Sequence, residues 1–289
     1  MTIGEHLLAL ASGRHIRYHV FGDPAGMPVL NCHGGLASGR DIEPATRNAT
    51  ELGLCIVSPD RPGVGGTDRL PGHRMAPWVH SDVVPLLEHL DIAEFGVLGW
   101  SAGGQYALAV GHELKERVNR CAVVAGCPPL DDPSISSRLN RMDRTLTLLS
   151  RRVPFLARTS FRVTRLMSSV APHLLLRIST RGISKAESAA VREQGPWLSD
   201  ILGEGVRQPR GEVDEYLTMC APWGFDPEEV AVPVRIFQGD ADTLVPAAWG
   251  QVLADRIPGA ELTVYPGGGH FICLTQSREI LTYLAQSAR

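Results

Sequence analysis

The sequence predicts an α/β protein: a mostly parallel central sheet flanked by helices, interrupted after its sixth strand by a helical insertion. Three observations predict it. Residues 1–127 alternate short apolar runs with stretches of helical periodicity, the pattern of buried parallel strands joined by crossover helices. From Pro128 that pattern stops, and residues 134–185 keep helical spacing with no strand-like run. Near residue 228 the alternation of strand and loop returns. A chain of 289 residues fits one large α/β unit, so it divides into a first core part (1–127), an insertion (128–227) and a second core part (228–289).

The opening runs HLLAL and RHIRYHVFG predict two strands, in a hairpin that turns at Ser12-Gly13. PVLNCHGG reads as a buried strand running into a glycine loop, a helix is expected around 41–52, and GLCIVSPD is the next buried strand. APWVHSDVVPLLEHLDI carries a helical apolar face in spite of Pro85. FGVLGW is then a strand, SAGGQYALAVGHEL a helix and VNRCAVVAG the sixth strand. Beyond the insertion, VRIFQG predicts a strand, a helix follows near 247–257, AELTVYP is the last strand, and a helix from about residue 271 closes the chain.

Composition excludes several function classes. With 44% hydrophobic and 20% charged residues the chain is globular and not disordered. A formal charge of -3 and a pI near 6.4 leave no surplus of cations for phosphate contacts, so no nucleic acid partner is expected. The six cysteines, Cys32, Cys55, Cys121, Cys127, Cys220 and Cys273, form no C-x-x-C pair and no zinc spacing, and read as buried thiols in a reducing compartment. The first 23 residues lack a basic segment before their short apolar run, and no window approaches a membrane span, so a cytoplasmic location is expected.

The chemistry concentrates in three loops. Gly99-Trp100-Ser101-Ala102-Gly103 fits G-x-S-x-G with a strand before it and a helix after it, the setting of a nucleophile elbow. Small residues at 99 and 103 let strand and helix approach closely while the turn lifts Ser101 onto strained backbone. The same turn brings the Ala102 N–H and the positive end of the helix dipole beside the reaction centre. A serine hydroxyl needs a base oriented by a third group. His270, in the loop of YPGGGHF after the last strand, is the best-placed of ten histidines. His33 is expected to orient its loop, His73 to lie in an exposed loop and His112 on a helix surface. FQGDADTLVP supplies the acid: Asp242 is favoured because Asp240 suits the backbone-bonding turn, and Asp131 and Asp132 are a fallback. Trp100 either walls the acyl pocket or packs under the neighbouring loop, and is not assigned to catalysis.

Together NCHGGLASG, SPDRPGVGGTD, LGWSAGG, FQGDADTLVP and GGGHF, in that order over residues 31–271, resemble an α/β-hydrolase fold protein of the capped serine esterase, proline iminopeptidase and haloperoxidase-like group. The order serine, aspartate, histidine agrees with that superfamily. The resemblance implies that the Gly35 N–H is the second oxyanion donor beside Ala102, with Leu36 the less favoured choice. It implies a helical cap at 128–227 and a structural turn at Asp60-Arg61-Pro62-Gly63 to Asp68. Serine in place of aspartate at 101 argues against alkyl-enzyme chemistry, and HGGLASG departs from the Gly-Gly-Pro-Gly oxyanion loop usual in proline iminopeptidases.

The expected activity is hydrolysis of a small or medium carboxylic ester, thioester or lactone through an acyl-enzyme, with Ser101, Asp242 and His270 as catalytic residues and with no metal or organic cofactor. The same three residues suit carbon–carbon or amide cleavage or cofactor-free perhydrolysis. A non-catalytic ligand receptor on the same fold is the reading of another class, against which the intact set of three argues. The partner is a small-molecule substrate and the chain a monomer or homodimer. In residues 134–185 eleven Lys or Arg face one acid, Asp143. Leu139, Met142, Leu146 and Leu149 recur there at helical spacing, which predicts an apolar face on the core with arginines in water. Contact of this basic cap with an anionic membrane, or with an acidic substrate, is the less favoured alternative.

Overall fold

The computed structural model describes residues 1–179 and 183–286. Eight strands form one sheet in the order β1-β2-β4-β3-β5-β6-β7-β8. They are β1 (Gly4–Ala9), β2 (His15–Gly22), β3 (Met27–Cys32), β4 (Leu54–Pro59), β5 (Phe95–Trp100), β6 (Val118–Val124), β7 (Val234–Gly239) and β8 (Glu261–Tyr265). β1 and β2 pair antiparallel, as do β2 and β4, and every later pairing is parallel. The apolar runs explain this order: β4 and β5 are buried along their whole length, whereas β1, at the edge, alternates exposed and half-buried residues.

In the first core part α1 (Thr46–Glu51) follows a 3-10 turn at Gly39–Ala45. α2 (Met75–Trp78) and α3 (Val84–His89) are joined through a wider π turn at Val79–Val83, which accommodates Pro85 at the start of α3. α4 (Gly103–Glu113) is buried from Gly103 to Gly111 and packs on β5 and β6. Between β6 and β7 lie α5 (Pro133–Ser136), α6 (Arg141–Arg152), α7 (Pro154–Val170), α8 (Pro172–Ser179), α9 (Lys185–Glu193), α10 (Gly195–Gly205) and α11 (Pro209–Met219). Proline opens α7, α8 and α11, where its missing N–H costs nothing. α12 (Ala248–Arg256), α13 (Ile272–Thr275) and α14 (Ser277–Ala285) complete the second core part.

Within the insertion, α10 and α11 rest directly on the loops that leave the sheet. A Cβ on Gly205 of α10 would lie 2.6 Å from the Leu36 carbonyl carbon, and one on Gly211 of α11 would lie 2.5 Å from the Gly63 Cα. Phe161, Tyr216 and Trp223 join the same apolar cluster as Val97, Tyr106 and Val123 of the core.

The inward apolar stripe expected in the insertion packs on the core at Leu139, Leu146 and Leu149 and departs from expectation at Met142. On α6, Leu146 and Ser150 are buried and Leu149 is half-buried, but Met142 is 49% exposed. The helix is rotated from the apolar stripe because Asp143 faces inward, where its Oδ1 accepts from Tyr216 Oη (2.8 Å) and its Oδ2 from Asn140 Nδ2 (2.7 Å).

Candidate active site

The carboxyl ends of β3, β5, β6, β7 and β8 share one edge of the sheet, so their loops converge there. β5 ends at Trp100 and α4 begins at Gly103, which leaves Ser101 and Ala102 to reverse the chain. Ser101 takes φ +56°, a left-handed conformation that costs a residue with a Cβ about 1–2 kcal/mol. It is held there by its N–H donating to Val124 O (2.8 Å) and by its carbonyl accepting from Gly104 N (2.9 Å). The flanking glycines are steric requirements: a Cβ on Gly99 would meet Ala107 Cβ at 2.6 Å, and one on Gly103 would overlap the Cys32 carbonyl. Ser101 is half-buried, and its Oγ has no hydrogen-bond partner among the described residues.

The loop after β3 lies beside this turn, where a Cβ on Gly35 would touch Ala102 Cβ at 3.5 Å. Among the described residues neither the Gly35 N–H nor the Ala102 N–H donates to a protein acceptor, whereas the Gly34 N–H donates to Asp41 Oδ2 (2.8 Å). The loop is braced from beneath. Arg61 Nη2 donates to Gly34 O (3.1 Å), Arg61 Nη1 donates to His33 O, and the Arg61 N–H donates to His33 Nε2 (3.1 Å). His33 is therefore a neutral imidazole with its proton on Nδ1; burial pushes its pKa well down, and the Arg61 charge adds to that. Arg61 in turn pairs with Glu215 of α11 (2.7 Å). Burial alone would raise the Glu215 carboxyl, but Arg61 and His73 hold it at about 2. His73 is thus not in an exposed loop: it is 5% exposed and lies 3.6 Å from Glu215 and 3.3 Å from Tyr106 Oη. A buried carboxylate drew it in, a contact 142 residues away in sequence that local pattern does not encode.

His270 and Asp242 meet at the ends of β8 and β7. His270 Nδ1 donates to Asp242 Oδ2 at 2.9 Å, which leaves Nε2 as the unprotonated nitrogen of the neutral ring. The other Asp242 oxygen accepts from the Leu244 and Val245 N–H groups (2.8 Å each). Burial lowers the tendency of His270 to ionise, but the charge of Asp242 and its hydrogen bond, with Glu187 behind them, outweigh it, and the pKa lies above the ordinary value. Asp240 instead binds the Gly267 N–H (2.6 Å) and ties the two loops together. Asp132 is exposed and caps α5 through the Ser134 N–H (2.7 Å), away from the imidazole. Trp100 packs under the His270 loop, with Nε1 donating to His270 O (3.0 Å). His112 is half-buried, stacked on Phe225 at 4.5 Å.

Two carboxylates from the insertion reach this site without any sequence expectation. Glu187, fully buried, accepts from the Thr243 N–H (2.9 Å), Thr243 Oγ1 (2.5 Å) and, more weakly, the His270 N–H (3.3 Å). It also closes a capping box with Ser184, so the local signal in the sequence, Ser-x-x-Glu, marks a helix start and nothing more. Glu212 of α11 is 1% exposed, with Oε1 unpartnered. Burial pushes its carboxyl up to about 8, with Glu215 adding to the rise and the Leu36 N–H opposing it. Among the described residues no group of three or more His, Cys, Asp or Glu is arranged to hold a metal ion.

Comparison with known proteins agrees with this architecture. A sequence profile described as alpha/beta hydrolase fold matches residues 27–277. A putative carbamate hydrolase of Klebsiella pneumoniae is 25% identical over 90% of this chain and 90% of its own. A pimeloyl-[acyl-carrier protein] methyl ester esterase of Aromatoleum aromaticum is 27% identical over 84% of this chain and 91% of its own. Among solved structures, the enol-lactonase of Burkholderia xenovorans superposes with a TM-score of 0.73 at 15% identity, covering 97% of this chain and all of that one.

Proposed function

The chain belongs to the α/β-hydrolase fold family, and from that premise we propose that it is a serine hydrolase cleaving a small or medium carboxylic ester, thioester or lactone through an acyl-enzyme. The observation that carries the reading is the pairing of His270 with Asp242 at 2.9 Å beside an elbow that holds Ser101 at φ +56°. Ser101 Oγ attacks the substrate carbonyl carbon while its proton passes to His270 Nε2. Asp242 stabilises the imidazolium and keeps the ring in the required tautomer. The negative charge that develops on the carbonyl oxygen is met by the Ala102 and Gly35 N–H groups, which have no other protein acceptor among the described residues. As the tetrahedral intermediate collapses, His270 returns the proton to the leaving alkoxide or thiolate. Water then attacks the acyl-enzyme with its proton taken by His270, and a second collapse frees the acid and Ser101.

Residues 128–227 act in this reading as a cap over the site. The contacts of Glu187, Glu212 and Glu215 with the loops of His270, Leu36 and Arg61 support it. The esterase and the carbamate hydrolase named above add support for acyl chemistry. The test is labelling by a fluorophosphonate probe followed by a panel of esters graded in acyl length. The wild type is expected to be labelled and S101A not. Equal labelling of the two, or turnover retained in S101A, would remove Ser101 as nucleophile.

A further inference from the structure

The insertion exposes apolar side chains that an apolar face turned onto the core does not account for. Ten of the fifteen large apolar side chains exposed among the described residues fall between Met142 and Ile178, so they are concentrated and not scattered. On α7 the inward side is Ala157 (0% exposed) and Phe161 (1%), while Phe155, Leu156, Val163, Leu166 and Val170 are 47–70% exposed. At 3.6 residues per turn these five occupy an arc of about 100° on the outer side, about 22 Å long. Arg158, Arg162 and Arg165 form the flank of that arc. Met142 and Leu148 on α6, and Leu174 and Ile178 on α8, add exposed apolar side chains from two of the helices packed on α7.

Charge is segregated in the same place. Between Asp143 and Glu187 the sequence has eight arginines, one lysine and no acid, although the whole chain carries -3. Arg141, Arg144, Arg152 and Arg162 are exposed, and none pairs with a carboxylate among the described residues. A convex apolar ridge edged by unneutralised guanidinium groups is the chemistry that enters a lipid interface, with the apolar side chains in the acyl boundary and the arginines at the phosphates. A second copy of the chain docked through the same face would set these arginines against each other, and a nucleic acid would leave the apolar ridge in water.

We propose that the outer face of α6, α7 and α8 docks on an anionic phospholipid bilayer. The proposal is independent of the chemistry at Ser101. The test is flotation of the full chain with vesicles of phosphatidylcholine mixed with phosphatidylglycerol, and with vesicles of phosphatidylcholine alone. Binding is expected on the mixed vesicles, weak on the neutral ones and lost at high salt. F155S/L166S is expected to weaken partitioning about tenfold or more. R152S/R162S is expected to weaken it about twenty-five-fold, at about fivefold per arginine. Both variants should keep the melting temperature and the turnover of a soluble ester. Failure to bind mixed vesicles, equal binding to neutral ones, or unchanged binding by both variants overturns the proposal. So does a dimer, seen by sedimentation, that these substitutions dissociate, because the face is then covered by a second copy.

Discussion

Removal of Glu187 tests whether the insertion completes the site. In E187A the His270 N–H, buried with its residue, loses its acceptor, and Thr243 loses two bonds to a carboxylate. An orphaned buried donor costs about 1–3 kcal/mol. Lost bonds to a charged group cost a comparable amount, reduced here because Thr243 is exposed. The loss of the Ser184 capping box adds about 1 kcal/mol or less. A total of about 3 kcal/mol corresponds to a fall of about 6–12 °C in melting temperature. Asp240 still ties the two loops together, but the segment from Asp242 to His270 loses the brace that Glu187 gives Thr243 and the His270 N–H, and a displacement of about 1 Å is enough to lower kcat about 100-fold. E187Q distinguishes charge from shape. Glu187 favours the imidazolium of His270, so its neutral isostere should move the acid limb of kcat/KM to lower pH, since the base then stays unprotonated further into acid. The assay is initial rates on a chromogenic ester across pH, with calorimetric melting beside it. An unchanged kcat and melting temperature in E187A, or an acid limb that moves upward in E187Q, would refute the role assigned to this carboxylate.

Three further outcomes follow from the same geometry. D242N removes the acceptor that fixes the His270 tautomer, and kcat is expected to fall about 10⁴-fold with the fold intact; a loss of less than about tenfold would exclude Asp242 as the orienting acid. G103A drives a methyl group into the Cys32 carbonyl, and the backbone cannot yield at a buried elbow. Urea denaturation should show a loss of about 3 kcal/mol, or no folded protein; a neutral result would contradict the close packing of α4 on β3. Glu212 is raised to about 8 in the folded chain, above the ordinary carboxylate value. The folded state therefore holds a proton that the unfolded state releases, and this carboxyl makes the wild type lose stability as pH rises through that window. E212Q removes the loss, so its melting temperature should gain on the wild type as pH rises, and parallel pH curves would refute a buried neutral acid.

Much of the core was legible because its signals are local. The apolar runs of β4 and β5 are buried on both faces as parallel strands must be, and Gly99 and Gly103 are glycine for the reason their spacing suggests. The choice between Asp240 and Asp242 rested on turn chemistry, and the hydrogen bond from the Gly267 N–H to Asp240 matches that argument. The insertion was less readable. Its helical periodicity was plain, but which face turns inward depended on Asp143 meeting Tyr216 across 73 residues. The exposure of Met142 is the consequence.

By itself the sequence determined the order of strands and helices, the elbow at Ser101 and the loops that bear Asp242 and His270. Each of these follows from sterics and periodicity within a few residues of chain. Only the tertiary structure decided that Arg61 braces the His33 loop, that Glu187 ties the insertion to Thr243 and His270, and that Glu212 and Glu215 lie buried beneath the same helices. Those contacts join segments up to 154 residues apart; burial keeps Glu212 protonated while Arg61 and His73 keep Glu215 ionised, which no local pattern of residues can specify.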